Sequence, residues 1–182
     1  MRMLLTVALV AVLSISSAFA AERIGGPRLR PQDPRSTQVL KEGAARSATF
    51  RALVDRIEAS NLIVYITVSP GMKSTLSGAL TWMTRAGDFR YVRASISSEL
   101  PFEQMIASVA HELQHAVEVI EDESVIDTRS LVALYKRIGQ PSRAAGPSGW
   151  ETIAAQRTGS QVRRELVAAP ATVMARVSNS QS

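Results

Sequence analysis

The chain has 182 residues, with 21 Lys and Arg against 16 Asp and Glu and a formal net charge of +5. This length suits one compact domain with tails, and an apolar fraction of 46% is ordinary for a globular protein. The complete lack of cysteine excludes a disulfide framework, a cysteine zinc finger, an iron–sulfur cluster and a thiol nucleophile. Only two histidines occur, so a metal site has to be completed by carboxylates. The basic residues, among them Arg23, Arg28, Arg30, Arg35, Arg51, Arg90, Arg93 and Arg143, form no dense run and have no interleaved aromatics. That pattern speaks for solvated surface charge and against a nucleic-acid partner.

Residues 1–20 carry Arg2, an apolar run from Met3 to Leu13 and the small-residue ending Ala18-Phe19-Ala20. This is the layout of a secretory signal peptide cut before Ala21. The apolar run is shorter than the roughly 20 residues a membrane span needs. Export to the periplasm or the exterior is therefore expected, with no membrane contact after cleavage. Residues 21–37 hold three Pro and two Gly among charges and are expected to be a flexible linker before a domain at 38–169.

Within that domain, Phe50, Leu53, Val54 and Ile57 recur at helical spacing, predicting one helix over 38–59. Residues 62–68, LIVYITV, are continuous and β-branched, as in a buried strand. Strands near 77–84 and 89–96 flank the short connection Arg85-Ala86-Gly87-Asp88, which predicts an antiparallel hairpin. Arg90 and Arg93 alternate with apolar residues, so 89–96 is expected at a half-exposed edge. Pro101 opens a strongly periodic helix over 101–120, with Phe102, Ile106, Val109, Leu113, Ala116, Val117 and Ile120 on one stripe. Asp127 is an expected N-cap for a helix over 127–138 that ends at Gly139. A Gly- and Pro-containing loop over 139–149 then leads to a last helix over 150–168, and residues 170–182 read as a disordered tail. The expected fold class is α+β: a short, mainly antiparallel sheet packed on the 101–120 helix and the C-terminal helices.

Both histidines fall in His111-Glu112-Leu113-Gln114-His115, in the middle of the best helix. By chance this composition gives an H-E-x-x-H arrangement about once in 1,500 chains, so the motif is signal. Side chains four apart stack one turn above the other, so both imidazoles can reach one ion. Glu112 lies beside that ion without occupying it. The two histidines project away from the apolar stripe, so their face looks either into water or into a cleft.

A third ligand must come from Glu118, Glu121, Asp122, Glu123, Asp127, Glu151 or Glu165. Glu118 shares the face of His115. However, ligands at i, i+4 and i+7 span about 10.5 Å of helix, too far for bonds near ~2 Å. Its better role is to hydrogen-bond a ligand histidine. Glu151 heads an inward stripe with Ala155, Thr158, Val162 and Leu166 and arrives on a separate element, which makes it the preferred ligand; Glu165 and Asp127 are weaker candidates. Tyr135 could stabilise an oxyanion, although its helical neighbours favour core packing.

The segment Val109-Ala110-His111-Glu112-Leu113-Gln114-His115-Ala116 resembles the zincin superfamily of metallopeptidases, and the order of elements looks like its gluzincin subgroup, in which a distant Glu completes the site. The extended metzincin pattern is absent, since Glu118 stands where its Gly would be. The resemblance implies a zincin-like domain, Zn²⁺ held by His111, His115 and Glu151, and Glu112 as general base. It also implies a peptide or protein substrate added to an edge strand near Tyr91–Ser95 by a monomeric enzyme. The competing expectation is a non-catalytic secreted scaffold that binds metal or a partner. No G-x-S-x-G elbow or P-loop occurs, and a carboxylate-pair glycosidase is recognisable only in three dimensions.

Overall fold

A computed structural model describes residues 27–72, 76–142 and 149–169. The expected signal peptide at 1–20 and tail at 170–182 lie outside the described residues. The elements run β1 (Leu29–Pro31), α1 (Pro34–Arg46), α2 (Ala48–Glu58), β2 (Leu62–Ser69), β3 (Gly78–Ala86), β4 (Phe89–Ser97), α3 (Phe102–Glu121), α4 (Thr128–Ile138), β5 (Gln140–Pro141), β6 (Trp150–Glu151) and α5 (Ile153–Ala168). The domain is mixed α/β, with five helices and a four-stranded sheet of order β1-β2-β4-β3. No helix among the described residues is long and apolar enough to cross a membrane.

The sheet corrects two expectations. It is mixed, not mainly antiparallel: β1 pairs with β2, and β2 with β4, in parallel, and only β3 and β4 run antiparallel. The strand at 89–96 is not an edge, because β4 lies between β2 and β3. The edge is β3, with residues 83–88 exposed along its outer end and turn. What misled the reading was Arg90. Its alternation with apolar residues mimics a wet face, yet it is only 4% exposed. Its guanidinium donates to the carbonyls of Val119 (2.8 Å) and Asp122 (2.9 Å) and to Asn61 Oδ1 (3.0 Å), so it satisfies carbonyls at the end of α3. Arg93, two residues on, is exposed as expected.

Part of the expected linker is ordered. Asp33 caps α1 through the Ser36 amide (2.7 Å), with Pro34 at the first helical position. Its other oxygen accepts from Val68 N, tying the helix start to β2. The helix expected at 38–59 is two helices. Ser47, in extended conformation, closes α1 and caps α2 by accepting from Phe50 N.

The core forms where β2, β4 and the helices meet. Strand alternation places Leu62, Val64 and Ile66 beside Arg90, Val92, Ala94 and Ile96, all buried. Ile106, Val109, Leu113 and Val117 of α3 join the same cluster. α3 is buried nearly all round, because α5 packs antiparallel across its other face: Thr152 meets Glu118, Thr158 meets Gln114, and Gly159 abuts Ala107 and His111. The motif helix is thus fixed between a sheet and a second helix, and its histidine face looks into a cleft.

Candidate metal centre

His111 and His115 lie one turn apart on α3, with ring centroids 5.0 Å apart. Glu151 reaches them from the two-stranded ribbon β5–β6, in which Gln140 pairs with Glu151 and Pro141 with Trp150. It precedes α5 instead of opening it, because Thr152 is the N-cap and the helix starts at Ile153. Glu151 Oε1 is 3.1 Å from His111 Nε2 and 3.4 Å from His115 Nε2. Ligand atoms on a tetrahedron with bonds of about 2.05 Å lie roughly 3.3 Å apart, so these spacings suit one zinc-sized ion. The three donor atoms all fall within 4.8 Å of one another. The Thr152 amide donates to the same Glu151 oxygen (2.9 Å) and fixes its direction.

Behind the histidines the structure supplies support. Glu118 Oε2 lies 2.8 Å from His115 Nδ1, which leaves Nε2 for the cleft. The other Glu118 oxygen accepts from Thr152 Oγ1 (2.6 Å), and Thr152 Oγ1 accepts from Ala155 N (3.1 Å) as the helix cap. One hydroxyl therefore connects the carboxylate behind His115 to the turn that presents Glu151. Tyr135 donates its hydroxyl to the His115 carbonyl (3.1 Å) and packs its ring edge-on to the imidazole, so the hydroxyl serves helix support.

The electrostatics favour a positive charge at this point. Burial opposes a charged His115, but hydrogen bonds to Glu118 and Glu151 outweigh it and lift its pKa to about 10. Burial raises the Glu151 carboxyl, yet hydrogen bonds from His111 and His115 hold it down at about 2. Carboxylates converge on imidazoles, and a proton or a metal cation can satisfy them equally. Glu112 is only 4% exposed, and burial pushes its carboxyl upward against the pull of His115 and His111.

The remaining acidic candidates lie away from the two imidazoles or are engaged elsewhere. Glu121 pairs with Arg56 at the surface, and Asp122 with Arg137 (2.5 Å). Glu123 is exposed. Asp127 caps α4 through Ser130 N (2.7 Å). Glu165 accepts from Ser47 Oγ (2.5 Å) and Thr49 Oγ1 (2.6 Å), joining α5 to α2.

The centre opens into a cleft of about 830 Å³ between β3, α3, α4, β6 and α5. Gly78 to Trp82 of β3 form one wall, and Glu112 lies against it. A Cβ on Gly78 would sit 2.7 Å from Glu112 Oε1, so a larger residue there would displace the Glu112 carboxylate. Sequence reasoning missed Gly78, Thr152 and the β3 wall. Thr152 did carry a signal, as a Thr directly before a helical run; Gly78 carried none.

Comparison with protein-family models, with curated proteins and with solved structures returned no match.

Proposed function

We propose that the protein is a zinc-dependent hydrolase of zincin-like type, a metallopeptidase acting after export, in which His111, His115 and Glu151 hold the metal. The convergence of two imidazole nitrogens and one carboxylate oxygen within 4.8 Å of one another, inside a cleft and beside a buried glutamate, carries this reading. Zinc bound there would supply Lewis acidity and lower the pKa of a water toward about 7.

The chain's own groups do the rest. Glu112 accepts the proton of the attacking water and returns it to the leaving amine; its raised affinity for protons in a buried setting suits both halves of that cycle. The substrate strand adds to β3 and not to β4, since β3 has no neighbour on its outer side among the described residues. Its main-chain groups pair with those of β3 near Gly78–Trp82, and this places a peptide bond over Glu112 and the metal ligands. Leu80, Trp82, Leu131 and Val132 offer apolar surface to side chains beyond that bond.

The test is metal content and hydrolysis of the purified chain beside Glu112→Gln. Both forms should bind about one zinc, with hydrolysis lost by 10²-fold or more only in the variant. His111→Ala should lose the metal as well. A parent chain without zinc refutes the reading, and one that holds zinc without cleaving any peptide supports the non-catalytic scaffold in its place.

A further inference from the structure

The cleft is chemically two-ended. From the metal centre toward α4 its wall is apolar, with Leu80, Trp82, Leu131 and Val132. The opposite end, toward the start of α3, is lined by Ser77, Ser108, Ser160 and Arg163. Arg163 is the one basic side chain lining the cleft among the described residues.

Because α5 runs antiparallel to α3, the position of Arg163 follows from its contacts. Gly159 lies against His111, where a Cβ would approach His111 Cβ to 3.4 Å. Arg163 is one turn further along α5, about 6 Å at 1.5 Å per residue. An extended peptide advances about 3.3 Å per residue, so the guanidinium falls one to three residues from the bond held at the metal centre. The serines between them are small and leave that path open.

Three other arginines of the domain face a carboxylate: Arg46 faces Glu103, Arg56 faces Glu121 and Arg137 faces Asp122. Arg163 is exposed and has no ion pair or hydrogen bond among the described residues. Its helical neighbours at three and four residues, Gly159, Ser160, Leu166 and Val167, offer no carboxylate. A guanidinium fork matches a carboxylate in bidentate geometry.

Resting on the metallopeptidase reading, we infer that Arg163 forms a subsite for a substrate carboxylate, either an acidic side chain or a free C-terminus. The enzyme then selects peptides with a negative charge on the Arg163 side of the scissile bond and apolar residues on the other.

Zinc-loaded Glu112→Gln chain serves as a non-hydrolysing trap, and binding of synthetic peptide pairs is measured by calorimetry. One pair differs as Asp against Asn within the chain, the other as free against amidated C-terminus. The carboxylate member of at least one pair should bind about tenfold more tightly; which pair it is separates an internal acid from a chain end. Added to the trap, Arg163→Ala should erase the difference and Arg163→Glu reverse it in favour of a Lys-bearing peptide. Arg164→Ala, beside it but outside the cleft, should keep it. Equal binding within both pairs, binding by neither, or discrimination that survives Arg163→Ala overturns the inference. Zinc content and cleavage of neutral peptides by the parent chain are measured separately. If these persist while discrimination is missing, the subsite alone has failed; if they too are missing, the functional reading has failed with it.

Discussion

Replacing Thr152 with Val tests whether one hydroxyl couples the fold to the metal centre. The side chain is 3% exposed, and valine matches its shape, so the change removes hydrogen bonding with little change in packing. Two bonds go at once. Ala155 N loses its cap acceptor, at about 1 kcal/mol. Glu118 Oε1 loses its donor in a buried setting, at about 1.5–3 kcal/mol for a bond to a charged group. The sum, roughly 3 kcal/mol, is a large part of the ~5–15 kcal/mol that separates folded from unfolded domains. Urea denaturation of the metal-free chain reads this as a lower midpoint at unchanged slope. The same change frees Glu118 behind His115 and loosens the turn that presents Glu151, so zinc affinity measured against a competing chelator should fall 10- to 100-fold. Thr152→Ser keeps the hydroxyl and should recover most of both losses. A valine variant with parental midpoint and parental zinc affinity would refute the coupling.

Three further outcomes follow from the packing. Gly78→Ala places a methyl 2.7 Å from Glu112 Oε1 and 3.1 Å from Ile96 Cδ1, so the buried Glu112 side chain, the proposed general base, has to shift; kcat should drop on the order of 10²-fold while zinc stoichiometry, read by elemental analysis, holds. Glu165 shows its role in acid: burial raises its carboxyl, but hydrogen bonds from Ser47, Thr49 and Gln161 outweigh this and hold it at about 2. A folded pKa below the unfolded value of about 4.3 means stability present above that pH and lost as pH falls toward 2, so Glu165→Gln should flatten the pH dependence of the denaturation midpoint between about 5 and 2; an unchanged slope counts against the ion. Arg90→Met leaves the Val119 and Asp122 carbonyls without their donor and should cost about 2–4 kcal/mol by urea titration, where a surface arginine would cost almost nothing.

What the sequence revealed and what it hid divide by range. The helix over 102–121, its apolar stripe and the Asp127 cap are local patterns, and they stand where spacing put them. The inward turn of Ala155, Val162 and Leu166 is local too, whereas Glu151 reaches the imidazoles from the β5–β6 ribbon ahead of that helix, a pairing that spacing does not show. Strand order depends on pairings between residues far apart in the chain, and β4 misled because a buried arginine and a wet one have the same letter. The α1 start was legible in Asp33-Pro34, but the surrounding prolines and charges read more strongly as linker. Ser47 likewise breaks a continuous helical period with a single cap, and periodicity registers such a break poorly.

The same division explains why the histidine pair was easier to see than the cleft around it. The His111–His115 pair of the proposed metal site needs few residue types at fixed helical spacing, so its mark survives in five consecutive letters. A binding cleft is assembled from β3, α4, the β5–β6 ribbon and α5, each contributing side chains whose neighbours exist only after folding. Gly78 shows the consequence. Its value lies entirely in what it leaves out, a methyl that would collide with Glu112, and no local pattern marks such a position. Arg163 is the converse: one charge among many in composition, and a distinct one only when the fold sets it on the wall of the cleft with no ion pair among the described residues.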